Sequence, residues 1–424
     1  MIIELVVENY RSIKERQSFS LAKSNSVELE SNSFTPSAPG SPALLNSAAI
    51  YGANAAGKSN FVRALATMQS IIVDSARESK RGDKLRVTPF KLSESTSKAP
   101  TEFEVVFVAD NVKYQYGFST TREQVLEEWL FAFPNGKPQR WFIRAFDQES
   151  GEYAWNFGSF LTGKKQLWKD STRANSLFLS TSVMLNSEQL KPVYDWFNKT
   201  LKTTDISGWS SSYTASLCMD EENKKEVLNF LKAADLDIED IIIESKAVDS
   251  SYLPEDMPSS IKEKILEELS DEEFHEIRTL HTNDIGSKIP FDFEDESDGT
   301  RKLFSFAGPW IDSLKKGKVL FIDELHDSLH PTIVRFLVNL FHDKKSNPNN
   351  AQLIFTTHET SILDQKVFRR DQVWFCNKEK DQSTSLYSLT DFSPRKGVEN
   401  LEKSYLSGRY GALPLISKLD YLGD

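Results

Sequence analysis

The chain has 424 residues, enough for a large buried core and for more than one typical domain. Hydrophobic residues make up 39%, charged residues 27%, and the formal net charge is −11. With no apolar run long enough to span a bilayer, these values exclude a membrane helix and a surface coated throughout by nucleic acid, though not a local basic groove.

Only Cys218 and Cys376 are present, far apart in sequence, which excludes a disulfide scaffold or a Cys-rich zinc site and fits a reducing cytoplasm. The opening MIIELVVENYRS has neither the basic leader nor the apolar core of a signal peptide. Ile2 to Glu8 and Gln17 to Leu21 read as the strands of a hairpin, and the Ser-, Asn- and Pro-rich stretch 23–42 as a loop. Ser47 to Tyr51 is a short buried strand leading into GANAAGKS, Gly52 to Ser59. This stretch fits G-x-x-x-x-G-K-[ST], the phosphate-wrapping P-loop. Its glycines let backbone N–H groups turn toward phosphate oxygens, Lys58 supplies charge to the β- and γ-phosphates, and the Ser59 hydroxyl can ligate Mg²⁺. The expected nucleotide contacts are Gly52, Asn54, Ala55, Ala56, Gly57, Lys58, Ser59 and Asn60. Phe61, Leu65, Met68 and Ile72 follow at spacings of one helix face, so strand, loop and helix stand in the order the motif requires.

From Val87 to Phe157 the pattern turns to β, with candidate strands at 103–108, 113–119, 124–131, 139–146 and 153–157. Asp110-Asn111 and Pro134-Asn135-Gly136 are turn signals between them. The aromatics of this meander, such as Trp129, Trp141 and Trp155, read as core and sheet-face residues rather than a base-stacking platform. Leu190 to Asn198 is a helix. Residues 199–289 read as a helical insertion, with charged amphipathic helices at Glu222 to Ala234 and Ser259 to Leu280 joined by a linker at 250–258. Its charge reads as a solvated face, with a partner-docking or DNA-facing arm as the alternative. After Pro290 the pattern is α/β again, with helices at Gly299 to Leu314 and Pro331 to His342. Strands fall at Lys318 to Asp323, Gln352 to Thr356, Gln372 to Cys376 and Ser385 to Leu389. This alternation implies a mainly parallel sheet covered on both faces.

Three further stretches carry chemistry. Val319 to Glu324 (VLFIDE) is an apolar strand ending in two acids, the form of a Walker B strand; Asp323 would hold Mg²⁺ with Ser59, and Glu324 would polarise the attacking water. Leu353 to His358 (LIFTTH) places His358 at the carboxyl end of another buried strand, where it could contact the γ-phosphate or the water. Glu296 to Arg301 opens a helix at which Ser297 and Gly299 could offer donors to a phosphate, or Ser297 or Asp298 could be an ordinary cap.

P-loop, S-x-G helix start, hhhhDE, S-L-H-P and TTH, in that order, resemble an ABC-type ATPase head of the SMC-like kind. The resemblance covers nearly the whole chain and implies an α/β P-loop head with an antiparallel β lobe and a helical insertion. It divides the chain into 1–198 and 290–424, the two parts of the head, and 199–289, the insertion. In such ATPases two heads sandwich two ATP molecules, so Ser297 and Gly299 would act in trans, Ser328 to Pro331 would be the D-loop, His358 the switch histidine and Glu324 the catalytic glutamate. ENYRSIKE, GANAAGKSNF, RANSLFLS, DELHDSLHP, RRDQVWF and YLSGRYGALP resemble the stand-alone bacterial ATPases of the RloA/AbiL-like phage-defence group. That resemblance implies a homodimer or higher oligomer and a separately encoded effector such as a nuclease, with nucleic acid a further candidate partner. The signature S-D-G-T departs from the transporter-like L-S-G-G-Q, and 87–90 holds no glutamine where a Q-loop would fall. An ATPase-coupled nuclease of the OLD type, or an SMC-like DNA-sensing ATPase, is the competing reading. The stretch after His358 holds Asp381, Asp391, Glu399, Glu402, Asp420 and Asp424, but no strand-placed acidic cluster, and is short for an added nuclease domain.

Overall fold

The strand Ser47–Gly52, buried along its whole length, lies inside a six-stranded sheet of the computed structural model, which describes residues 1–204, 208–247, 257–259, 261–262 and 273–414. The strand order is Leu201–Thr204, Val319–Ile322, Gln352–Thr356, Ser47–Gly52, Val373–Lys378, Thr384–Ser388. All neighbours are parallel except the last pair. Val319–Ile322 and Gln352–Thr356 are buried at every residue, as strands covered on both faces must be. One strand thus separates the P-loop strand from the strand that ends in Asp323 and Glu324, and it is the strand that leads to His358.

The helix Lys58–Asp74 buries Phe61, Val62, Ala64, Leu65, Met68, Ile71 and Ile72, the face its spacing predicts. The Phe61 ring lies 5.6 Å from Phe19 and 6.0 Å from Phe321. One aromatic contact set therefore ties the N-terminal hairpin, the P-loop helix and the Walker B strand. Around the hairpin forms a seven-stranded antiparallel sheet, in the order Glu152–Phe157, Gln139–Asp147, Val125–Phe133, Val112–Thr120, Thr101–Ala109, Ile2–Glu8, Gln17–Ser20. The Asp110-Asn111 turn has φ of 47° and 59°, the left-handed pair that lets two residues join twisted strands. The expected hairpin and meander are thus present, and the hairpin adds its two strands to the meander's sheet.

These elements belong to one compact unit, Met1–Ile206 with Leu314–Asp327 and Val334–Asp424; a second consists of Ser207–Ser313 with Ser328–Ile333. The second unit holds the helices Ser211–Cys218 and Glu221–Ala233, close to expectation at the latter. It also holds an antiparallel sheet of Asp240–Ala247, Glu273–Thr282 and Lys288–Asp292. The helix expected over Ser259 to Leu280 is therefore wrong at 273–280; residues 259, 261 and 262 are helical as expected, and 260, 263–272 and most of the 250–258 linker lie outside the described residues. Ile277 and Leu280, three apart, mimic a helix face. The alternation of buried Ile277 and Thr279 with less buried neighbours decides for a strand, and these two pair with Ile243 and Ile241.

The helix Asp298–Lys316 carries Pro309 in its interior, which removes one backbone donor. Thr214 stitches the helix there, accepting from the Gly308 amide at 3.1 Å and donating to the Ser305 carbonyl at 3.4 Å. Among the described residues no helix is long and apolar enough to cross a membrane.

Candidate functional site

The loop between strand and helix owes its shape to alternating backbone hands: Ala55 has φ 60° and Gly57 φ 108°. Such alternation turns successive N–H groups toward one side, forming an anion-binding concavity. Gly57 precedes the helix and contributes no side-chain cap, so the first-turn N–H groups stay available to a phosphate. Both motif glycines are sterically required. A Cβ on Gly57 would stand 2.0 Å from Thr384 Oγ1, and one on Gly52 2.4 Å from the Cys376 carbonyl oxygen. Thr384 Oγ1 donates to the Ala56 carbonyl at 2.8 Å and meets Ser12 Oγ at 2.8 Å; Asn60 Nδ2 also donates to Ser12 Oγ at 2.8 Å. The loop is thus braced from outside by the N-terminal turn and by the antiparallel edge strand of the six-stranded sheet.

Lys58 is buried, and its Nζ donates to the carbonyls of Gly52 (2.9 Å) and Ala53 (3.2 Å) and to His358 Nε2 (2.9 Å). Burial lowers the lysine's pKa, opposed by Glu324 and Asp323. His358 is held at about 4, first by burial and then by the charge of Lys58 and the neighbouring His326, so at neutral pH its ring is uncharged and accepts from Lys58. Its Nε2 is also 3.8 Å from Glu324 Oε1, and the His326 ring lies 5.7 Å away at a steep angle.

Asp323 is buried, and its Oδ1 accepts from Thr356 Oγ1 at 2.6 Å. Glu324 has φ 51°, a left-handed backbone unusual for a residue with a side chain, and its amide donates to the same Thr356 hydroxyl at 2.8 Å. The loop 54–60, Arg63, Glu324 and His358 line a cleft of about 470 Å³. A larger cavity of about 710 Å³, lined in part by Lys191, Asp195, Lys199 and Trp196, shares none of these residues.

The sequence-derived residues of the first unit therefore converge. Lys58, Asp323, Glu324 and His358 stand at or just beyond the carboxyl ends of three adjacent parallel strands, where open α/β sheets bind ligands. Mg²⁺ takes hard oxygen donors and keeps several waters. The Ser59 hydroxyl and the Asp323 carboxylate suit it, and the described residues offer neither Ser59 Oγ nor Asp323 Oδ2 a hydrogen-bond partner.

Ser297 and Gly299 lie in the second unit, at the start of the helix Asp298–Lys316. Ser297 Oγ accepts from the Thr300 amide at 3.1 Å, so Ser297 is the helix cap that sequence offered as one reading. A Cβ on Gly299 would be 3.1 Å from the Ser328 carbonyl oxygen, which brings the two S-containing motifs of this unit together. Just before the cap, Glu296 accepts from His281 Nε2 (2.7 Å) and Thr279 Oγ1 (2.5 Å), fastening the helix start to the three-stranded sheet.

The C-terminal acids do not assemble. Ser383 and Lys14 hold the Asp381 carboxyl down at about 2, Asp391 accepts from the Ser388 amide, Glu399 pairs with Arg409, and Glu402 accepts from Thr360. Asp420 and Asp424 lie outside the described residues. Among the described residues no group of three or more His, Cys, Asp or Glu is placed to share a metal ion.

The other resemblance motifs act as braces. In RANSLFLS, Arg173 Nη2 donates to the Ser75 carbonyl and Ser180 Oγ to the Ile72 carbonyl, tying the β lobe to the end of the P-loop helix. In RRDQVWF, buried Arg369 pairs with Asp371 and binds the Ser26 carbonyl of the N-terminal loop. Sequence reasoning missed Ser12, Arg63, Thr356 and Thr384. Thr356 stands within TTH and Ser12 within ENYRSIKE, where neither was given a role; Thr384 comes from a distant chain position and carries no motif of its own.

No curated protein is similar enough to this chain to count as a match. Solved structures that match include an SMC head domain from Thermotoga maritima, at 10% identity and TM-score 0.40, covering 91% of this chain and 98% of that one. An SMC head bound to the C-terminal winged-helix domain of ScpA matches at 14% identity and TM-score 0.41, covering 91% and 97%. An SMC head with an extended coiled coil, bound to the C-terminal domain of ScpA derived from Pyrococcus furiosus, matches at 11% and 0.37, covering 92% and 97%. At these identities and scores the likeness carries no functional weight. The family described as "AAA domain, putative AbiEii toxin, Type IV TA system" matches residues 47–364, a span that runs from the P-loop strand past His358. The chain belongs to that AAA-domain family.

Proposed function

We propose that the protein is an ATPase whose hydrolytic site is shared between two copies of the chain and whose nucleotide cycle switches a separately encoded effector, in anti-phage defence. The observation that carries this reading is the convergence of Lys58, Asp323, Glu324 and His358 around a left- and right-handed phosphate loop. ATP would lay its phosphates along 54–60, with the helix N-terminus facing them. Lys58 would exchange its contact with His358 for the β- and γ-phosphates. Glu324 would orient a water for in-line attack and take its proton as the bond to the γ-phosphorus forms. The bond from that phosphorus to the β-phosphate oxygen breaks, giving ADP and inorganic phosphate. Mg²⁺ held by Ser59 and Asp323 would offset phosphate charge. His358, neutral at pH 7, can hydrogen-bond the γ-phosphate or the water.

Ser297 and Gly299, on an exposed helix start, would complete the site from the second copy. The family's description names a "putative AbiEii toxin, Type IV TA system", which supports a partner effector; the defence setting rests on the resemblance of the sequence motifs. A cytoplasmic location fits the two buried free thiols.

The test is ATP hydrolysis and nucleotide binding by the wild-type chain, Glu324→Gln and Lys58→Ala. Glu324→Gln should bind ATP and lose roughly 10²–10⁴-fold in turnover, the usual worth of a positioned base. Lys58→Ala should lose nucleotide binding. Turnover by Glu324→Gln at the wild-type rate would remove Glu324 from the assignment.

A further inference from the structure

We propose that Thr356 is a positioning residue that sets both acids of the VLFIDE turn, orienting Asp323 toward Mg²⁺ and fixing Glu324 in its left-handed backbone. The proposal rests on the ATPase reading above and extends it to a residue outside the motif positions assigned there.

Thr356 ends the strand Gln352–Thr356, between the strand that leads to Asp323 and the strand that leads to the P-loop, and is fully buried. Its Oγ1 is 2.6 Å from Asp323 Oδ1 and 2.8 Å from the Glu324 amide nitrogen. A hydroxyl carries one proton and two lone pairs. The amide can only donate, so it occupies a lone pair. The carboxylate can only accept, so it takes the proton. The orientation of this hydroxyl is therefore dictated by its two partners, and both bonds reinforce each other through one oxygen.

Two consequences follow for chemistry. This is the hydrogen bond the described residues give the Asp323 carboxylate; it fixes the carboxylate plane through Oδ1 and leaves Oδ2 for a cation. On the other side, the chain reverses hand at Glu324, where φ is 51°. A backbone in so sparsely populated a region persists only when its surroundings over-determine it. Here the Glu324 amide is held by the Thr356 hydroxyl, and the next amide, of Leu325, donates to the Thr356 carbonyl at 3.1 Å. One residue thus grips two successive amides of the turn and one carboxylate, and the Glu324 side chain is aimed into the cleft beside His358 as a result. Serine could replace both side-chain bonds. Valine, of the same shape, could replace neither.

The experiment compares the full-length wild type, Thr356→Val, Thr356→Ala and Thr356→Ser. Binding of a fluorescent ATP analogue is titrated with Mg²⁺ from EDTA upward, beside steady-state ATP hydrolysis and thermal melts. Groups that orient a metal ligand are typically worth 10–100-fold in metal affinity or activity. Both hydroxyl-free variants should bind nucleotide in EDTA as the wild type does. They should need about 10–100-fold more Mg²⁺ to reach the midpoint and lose about as much in kcat, with KM for ATP little changed. Thr356→Ser should restore the Mg²⁺ midpoint and kcat. Hydroxyl-free variants with the wild-type midpoint and kcat would overturn the role of Thr356 alone, as would a serine variant that fails as badly as valine. Should valine fail to fold, alanine against serine draws the same distinction. A wild-type chain that neither binds nor hydrolyses ATP would overturn the functional reading and this role with it.

Discussion

Two groups of charges inside the first unit are treated in opposite ways. In the antiparallel lobe, Glu128 and Arg144 are both fully buried, 3.6 Å apart. Glu128 accepts from the amides of Phe178 (2.6 Å) and Leu179 (3.0 Å) and from the Tyr116 hydroxyl (3.0 Å). Arg144 donates to the carbonyls of Ser176 and Arg173 and lies 4.2 Å over the Tyr153 ring. Burial still pushes the Glu128 carboxyl above its ordinary range, against the pull of Arg144. In the cleft, by contrast, the carboxyl group of Glu324 and the ring of His358 remain about a quarter to a third exposed, and Lys58 leans on carbonyls and a neutral imidazole. Where both charges are fully buried among fixed protein partners, the pair is architecture, even with Arg144 Nε left without a partner; where the carboxylate and imidazole keep one side open, they are left for a ligand.

That contrast can be broken at either end. The largest expected effect on stability is at the closed end. Glu128→Ala leaves the Arg144 guanidinium buried without its carboxylate, and should cost about 3–5 kcal/mol in a denaturant melt. A loss under about 1 kcal/mol would mean that water reaches the pair and that the lobe is not closed around it. Next comes pH. His342, buried against Ser47 and Gln372, is held at about 3 and His358 at about 4, both below the ordinary 6.5. The folded chain keeps these rings neutral while the unfolded chain protonates them, so their contribution is complete above about pH 6.5 and is lost progressively as the pH falls, down to about 4 for His358 and about 3 for His342. Thermal melts from pH 7 to pH 4 should show the decline, and His342→Gln should flatten it. The smallest effect belongs to the loop brace. Thr384→Val removes the bonds to the Ala56 carbonyl and Ser12, each worth roughly 0.5–1.5 kcal/mol, and should weaken ATP binding several-fold without abolishing it.

The parallel sheet and its cleft were legible because their chemistry is local. A strand buried on both faces must be apolar throughout, and a phosphate loop must have glycine where φ is 108° and where a neighbouring carbonyl allows no Cβ. The meander was legible through its alternation and its Asp110-Asn111 turn. The sheet of the second unit was not, because Glu273–Thr282 carries both periodicities and only pairing with Ile241 and Ile243 chooses between them. The braces on the site were hidden for a different reason. Thr384 reaches Ala56 across most of the chain length, Ser12 meets Asn60 from a turn 48 residues earlier, and the contacts of Thr356 show only once the two acids after the neighbouring strand are in place beside it.

The central claim is that the cleft is half of a site completed by Ser297 and Gly299 of a second copy. Light scattering of the Glu324→Gln chain, with and without saturating Mg²⁺ and ATP, tests it most directly. The account predicts one copy without nucleotide and two with it, and loss of the nucleotide-bound dimer when Ser297→Arg is added. A single-copy mass at saturating ATP, from a chain whose wild-type form hydrolyses ATP at full rate, would contradict it.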